Sequence, residues 1–172
     1  MLSRSGPAVQ RAIAILGALL LGLPVMAEPP VILLENGRLH VGLSQSDWQL
    51  AQFTDREAHW NHIADHANSL GLWKLEVIRE GKTIELVPSQ AKRFQLEPGK
   101  EPHSLQLSWS DFGSEFAPQL KVVVKAQLKT GQAMSRWQIA VDNLRGLILE
   151  RVRFPRFPAI RPQADEYLAV PV

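Results

Sequence analysis

The stretch "HWNHIADH", from His59 to His66, holds three of the five histidines of the chain and an aspartate. Imidazoles gathered this closely are the usual raw material of a zinc site. On a helical turn His62 and His66 share a face at i, i+4, and His59, at i, i+3 from His62, is adjacent, so all three could reach one ion. The H-x-x-x-H zinc motifs, however, draw their specificity from a regular helix and a glutamate after the first histidine. Here that position is Ile63. The expectation is therefore a polar, solvated loop with no cofactor, with His59, His62 and His66 as the candidate metal ligands to be placed.

Glycoside hydrolysis would need two carboxyl groups about 5–10 Å apart on opposite sides of a sugar. Asp111, Glu115, Asp142, Asp165 and Glu166 are the candidates, and nothing in their spacing pairs any two. Asp111 and Asp142 stand at strand ends, where turn chemistry accounts for them. There is no G-x-S-x-G nucleophile elbow and no glycine-rich phosphate loop. No catalytic residue is expected. Sugars are commonly gripped by aromatic rings that stack on their C–H faces. Of the five tryptophans, Trp109 and Trp137 fall on apolar strand faces and Trp73 precedes a strand, which reads as core. Trp48 and Trp60 remain as candidate carbohydrate contacts.

The N-terminal 27 residues carry Arg4 and Arg11, the apolar run "AIAILGALLLGL", and small residues at Val25 and Ala27. This is the pattern of a cleaved secretory signal. The run ends at Pro24, shorter than the ~20 residues of a spanning helix, so export without a membrane anchor is expected, to the periplasm or outside the cell. Cysteine is absent, which excludes disulfides and thiolate metal sites. Residues 28–172 form one predicted domain of 145 residues with 17 basic and 17 acidic side chains. A neutral chain with interspersed charge has no footprint for nucleic acid. Its only basic cluster, Arg151, Arg153, Arg156 and Arg161, reads as a solvated strand face rather than a polyanion site.

These residues must be positioned by strands. "HSLQLSWSD", "LKVVVKAQLKT" and "SRWQIAVDN" alternate apolar and polar residues, the pattern of strands buried on one face. The last two, joined through Gly131, predict a hairpin, as does "LWKLEVIREGKTIELVP" around Gly81. With "RLHVGLS", "WQLAQFTD", "AKRFQLE", "LILERVRFP" and "EYLAV" the total is roughly nine or ten strands. The helical period is at best a turn or two within "REAHWNHIADHANSL". An all-β, antiparallel β-sandwich is expected.

The segments "LENGRLHVGLSQSDWQLAQFTDREAHWNHI", "LWKLEVI" and "VRFPRFPAIRPQADEYLAVPV" resemble the N-terminal, galactose-mutarotase-like supersandwich domain of bacterial glycoside-hydrolase-like proteins, a domain of unknown function. The shared marks are an L-x-N start at Leu34 and Asn36, a strand ending in Asp55-Arg56, Phe154-Pro155, and Asp165 to Leu168. The resemblance covers nearly all of residues 31–172. It implies a supersandwich whose catalytic carboxylates lie in a downstream barrel, so that this chain is a fragment ending before its catalytic domain, with a glycan as the possible ligand. The alternative is a free-standing secreted β-sandwich that binds or meets a partner.

Overall fold

A computed structural model of the chain describes residues 31–63, 70–113, 116, 119–158, 160 and 161. The expected signal segment, His66, Glu115, Asp165, Glu166 and the strand expected at "EYLAV" lie outside the described residues. Within them the fold is an antiparallel β-sandwich. Strands β1 (Val31–Glu35), β2 (Leu39–Ser44), β3 (Leu50–Asp55) and β4 (Trp60–Asn61) form the first sheet in that order. The second sheet runs β10-β9-β8-β7, from Ser135–Asp142, Lys121–Leu128, Ser104–Ser110 and Arg93–Pro98. A third runs β11-β5-β6, from Ile148–Arg153, Lys74–Arg79 and Lys82–Leu86.

Alternation in the sequence sets which side of each strand is dry. In β8, Leu105, Leu107 and Trp109 are buried, and in β9 so are Val122, Val124, Ala126 and Leu128. Opposed residues of an antiparallel pair share a face, and the register sets Leu107 against Val124 and Trp109 against Val122. Both predicted hairpins form. The β5–β6 turn is closed by Glu80 and Gly81 at φ 50° and 75°, the pair of positive φ values that a two-residue turn of this hand requires.

Aromatic rings connect the sheets through the core. Trp73, fully buried before β5, meets Trp109 edge-on at 5.7 Å and Phe112 at 6.1 Å. Trp48, in the β2–β3 loop, stacks on Phe94 of β7 at 3.8 Å and turns its edge to Trp109 at 6.2 Å. Its backbone is left-handed, at φ 56°, a conformation costly for a bulky residue. The stacking across to the second sheet, and the amide bond from Trp48 to the Ser44 carbonyl at 3.0 Å, hold it there.

The structure differs from the sequence reading at two places. Val31–Glu35, a run without alternation, is a strand whose Ile32 and Leu34 are buried while Val31 and Leu33 are exposed. The helical turn considered around His59 does not form across residues 56–63. Arg56 to His59 make a turn, His59 is left-handed at φ 51°, and Trp60–Asn61 pair with Asp55 and Thr54 as β4. Ile63 then bridges Ile160.

Candidate functional site

The turn preceding β4 is built on Asp55. Its Oδ1 accepts the amide N–H of Glu57 at 2.8 Å and of Ala58 at 3.1 Å. The bond from Ala58 is the largest cause that lowers the Asp55 carboxyl below the usual carboxylate value; desolvation opposes it, and the bond from Glu57 and the charge of Arg38 add to the lowering. Arg38 itself is paired with Glu57. In the Asp55-Arg56 pair at the end of β3, Asp55 thus closes the turn with its side chain, while Arg56 donates its backbone amide to Arg38 O at 2.8 Å.

That backbone separates the histidines. His59 is exposed at the turn, while His62 is half-buried beyond β4, its ring edge-on to Phe53 at 6.0 Å. The His62 amide donates to Phe53 O at 2.9 Å and its carbonyl accepts from Arg161 N at 2.7 Å. The shared helical face that would have aimed His59 and His62 at one ion is absent, and His66 lies outside the described residues. No group of three potential metal ligands converges among the described residues.

The two candidate sugar platforms are both engaged by protein. Trp48 is half-buried in the core cluster described above. Trp60 is half-buried, with the Arg161 guanidinium carbon 5.7 Å from its ring centroid, a cation–π distance. Of the carboxylates, Asp111 is a left-handed turn residue whose carbonyl accepts from Lys92 and whose side chain lies 3.8 Å from Arg93. Asp142 is exposed at the end of β10, opposite Lys121 in register.

The basic cluster resolves into structural roles. Arg151 and Arg153 each place a guanidinium nitrogen 3.3 Å from the Glu76 carboxylate, which is only 12% exposed. Arg156 donates to the Leu70 carbonyl and, through its amide, to Leu72 O at 2.9 Å. On the same outer face Lys74 pairs with Glu85, lowering the Glu85 carboxyl from its ordinary value. Each of these cations is engaged within the fold.

Two surfaces remain that the sequence reading did not single out. One is a groove of about 390 Å³ on the outer face of the second sheet, lined among others by Glu97, Gln106, Lys125, Gln127, Arg136 and Gln138. The other is an apolar flank where β10 and β11 end their sheets. Trp137, Ile139 and Val141 stand opposite Ala126, Val124 and Val122, and so face the core side, yet they are only half-buried. Leu149 and Val152 stand opposite Val77 and Leu75 in the same way, and Val152 is 40% exposed. Phe154 closes against Trp137 at 6.4 Å. The signal for the flank was present in the alternation of both strands, but burial on that side depends on a covering layer the pattern does not specify.

Comparison of the chain with protein-family models and with curated proteins finds no match. Among the described residues no helix is long and apolar enough to cross a membrane.

Proposed function

We propose that this chain is the non-catalytic N-terminal β-sandwich of an exported glycoside-hydrolase-like protein, and that the β10–β11 flank is where it packs against the catalytic barrel. The observation that carries this reading is the half-open core. Val122, Val124, Leu75 and Val77 are fully buried, while the side chains beside them on the same faces, one strand further out, are half-exposed or exposed. Apolar groups in that position favour a contact that removes them from water, at about 25 cal/mol per Å² covered. The resemblance of residues 31–172 to supersandwich domains supplies the identity of the covering domain.

The DNA after the Val172 codon, read in all three forward frames, tests the proposal. A frame encoding alternating strands and helices with paired acidic residues is expected; no such pattern in any frame overturns it. The second reading, a free-standing secreted binding protein, is favoured by the groove on the opposite face of the second sheet, which needs no further domain.

A further inference from the structure

We propose that the groove on the outer face of the β10-β9-β8-β7 sheet is a binding site for an acidic saccharide, a chain of sugar rings carrying carboxylates. The proposal goes beyond domain packing and rests only on the carbohydrate association of the preceding reading.

The site is built by register. Glu97, Gln106, Lys125 and Gln138 stand side by side on four successive strands. At about 4.8 Å per strand this row crosses roughly 14 Å, longer than one sugar ring. A second row, Ser104, Gln127 and Arg136, runs alongside it. One end is closed by the turn between β7 and β8. Gly99 lies so close to β8 that a Cβ there would stand 2.0 Å from Ser104 Oγ, and its amide donates to Ser104 O at 2.9 Å.

The chemistry of these rows suits a polyhydroxylated anion. Gln106, Gln127 and Gln138 each present a carbonyl acceptor and an amide donor pair, which matches hydroxyl groups that both give and take protons. Gln106 is already oriented, its Nε2 donating to Glu97 Oε2 at 3.2 Å. Lys125 and Arg136 are diagonal neighbours at the β9–β10 side, with Cβ atoms roughly 7–8 Å apart. Both are exposed, and neither joins an ion pair with a described residue.

The contrast with the outer face of the third sheet decides between a ligand site and an ordinary solvated face. There Lys74, Arg151 and Arg153 are each matched by a carboxylate. In the groove, whose closed end also carries Lys100 and Glu101, Lys125 and Arg136 on adjacent strands have no carboxylate partner among the described residues, and the one carboxylate in the first row is on the far strand, bonded to Gln106. A planar guanidinium donates two parallel N–H bonds to the oxygens of a planar carboxylate. Arg136 is therefore the carboxylate anchor, Lys125 the second charge, and the glutamines the contacts to the ring hydroxyls.

The test is calorimetric titration of the full chain with a galacturonate oligosaccharide, with the same oligosaccharide after reduction of its carboxylates to alcohols, and with inorganic polyphosphate. The expected result is binding of the uronate, at least about tenfold weaker binding of the reduced form, and a loss of at least about tenfold in the double variant Lys125→Gln, Arg136→Gln. Lys121→Gln, on the same strand face but opposite Asp142, should bind as the parent does. No uronate binding overturns the proposal, as does equal loss in Lys121→Gln or polyphosphate binding as tight as the uronate, either of which means charge attraction without a site. Arg136 and Trp137 project to opposite faces of β10, so failure here leaves the packing flank untouched, and failure of the flank leaves the groove.

Discussion

The side-chain amide of Asn36 donates to the carbonyl oxygens of Lys129 at 2.6 Å and of Gln132 at 2.8 Å, more than ninety residues along the chain. Its Oδ1 accepts the backbone amides of Arg38 at 3.0 Å and Leu39 at 2.8 Å. One buried amide thus shapes the β1–β2 turn and fastens it to the β9–β10 hairpin, whose Lys129 and Met134 adjoin the groove. The asparagine of the L-x-N segment at Leu34 to Asn36 makes this cross-sheet fastening.

Asn36→Ala should therefore cost about 2–3 kcal/mol in urea unfolding, since it leaves buried carbonyls and amides without partners. Asn36→Asp should destabilise further at neutral pH, because a carboxylate would face two carbonyl oxygens in a buried position. Equal stability of Asn36→Ala and the parent would remove the fastening from the account.

Trp109 lies among Trp48, Trp73 and Phe94, and its indole N–H is buried with no acceptor among the described residues. Its contribution is packing. Trp109→Ala should cost about 3–5 kcal/mol, and Trp109→Phe clearly less, because no hydrogen bond is lost with the indole. Equal losses in the two variants, measured by denaturant titration, would contradict the packing assignment.

Asp55 has a folded-state pKa below its unfolded value, chiefly through the Ala58 amide. Its stabilising effect is present above the unfolded pKa, about 3.9, and is lost as pH falls through the lowered folded value. Stability of the parent should fall more steeply below about pH 4 than that of Asp55→Asn. Parallel acid limbs in the two proteins would show that the turn bonds do not act through ionisation.

On the β10–β11 flank, Ile139→Lys and Val152→Lys should reduce binding of an apolar fluorescent dye by about half or more, with little loss of stability, because both positions are partly in water already. Unchanged dye binding would place the exposed apolar surface elsewhere.

Local patterning made the sandwich legible. The alternation of Leu105, Leu107 and Trp109, and of Val122, Val124 and Ala126, named the buried face of two strands correctly because that face is set by nearest neighbours in the chain. β1 escaped notice because Val31 and Leu33 are apolar yet exposed, which erases alternation. β4 was too short to have a period, and the histidines around it suggested a helical face that pairing with β3 replaces. The groove was hidden for a different reason. Gln106, Lys125 and Gln138 each read as the wet side of a single strand, and only the register between strands makes them a row. The Asn36 fastening is likewise a relation between distant segments, invisible in any window of sequence.

The most direct test of the central claim is amide hydrogen exchange at β10 and β11, compared between this chain alone and the entire polypeptide produced from its locus. Packing against a further domain predicts slower exchange at residues 137–141 and 148–152 in the entire product, with the β2 and β8 amides unchanged. Identical exchange in the two samples would contradict it.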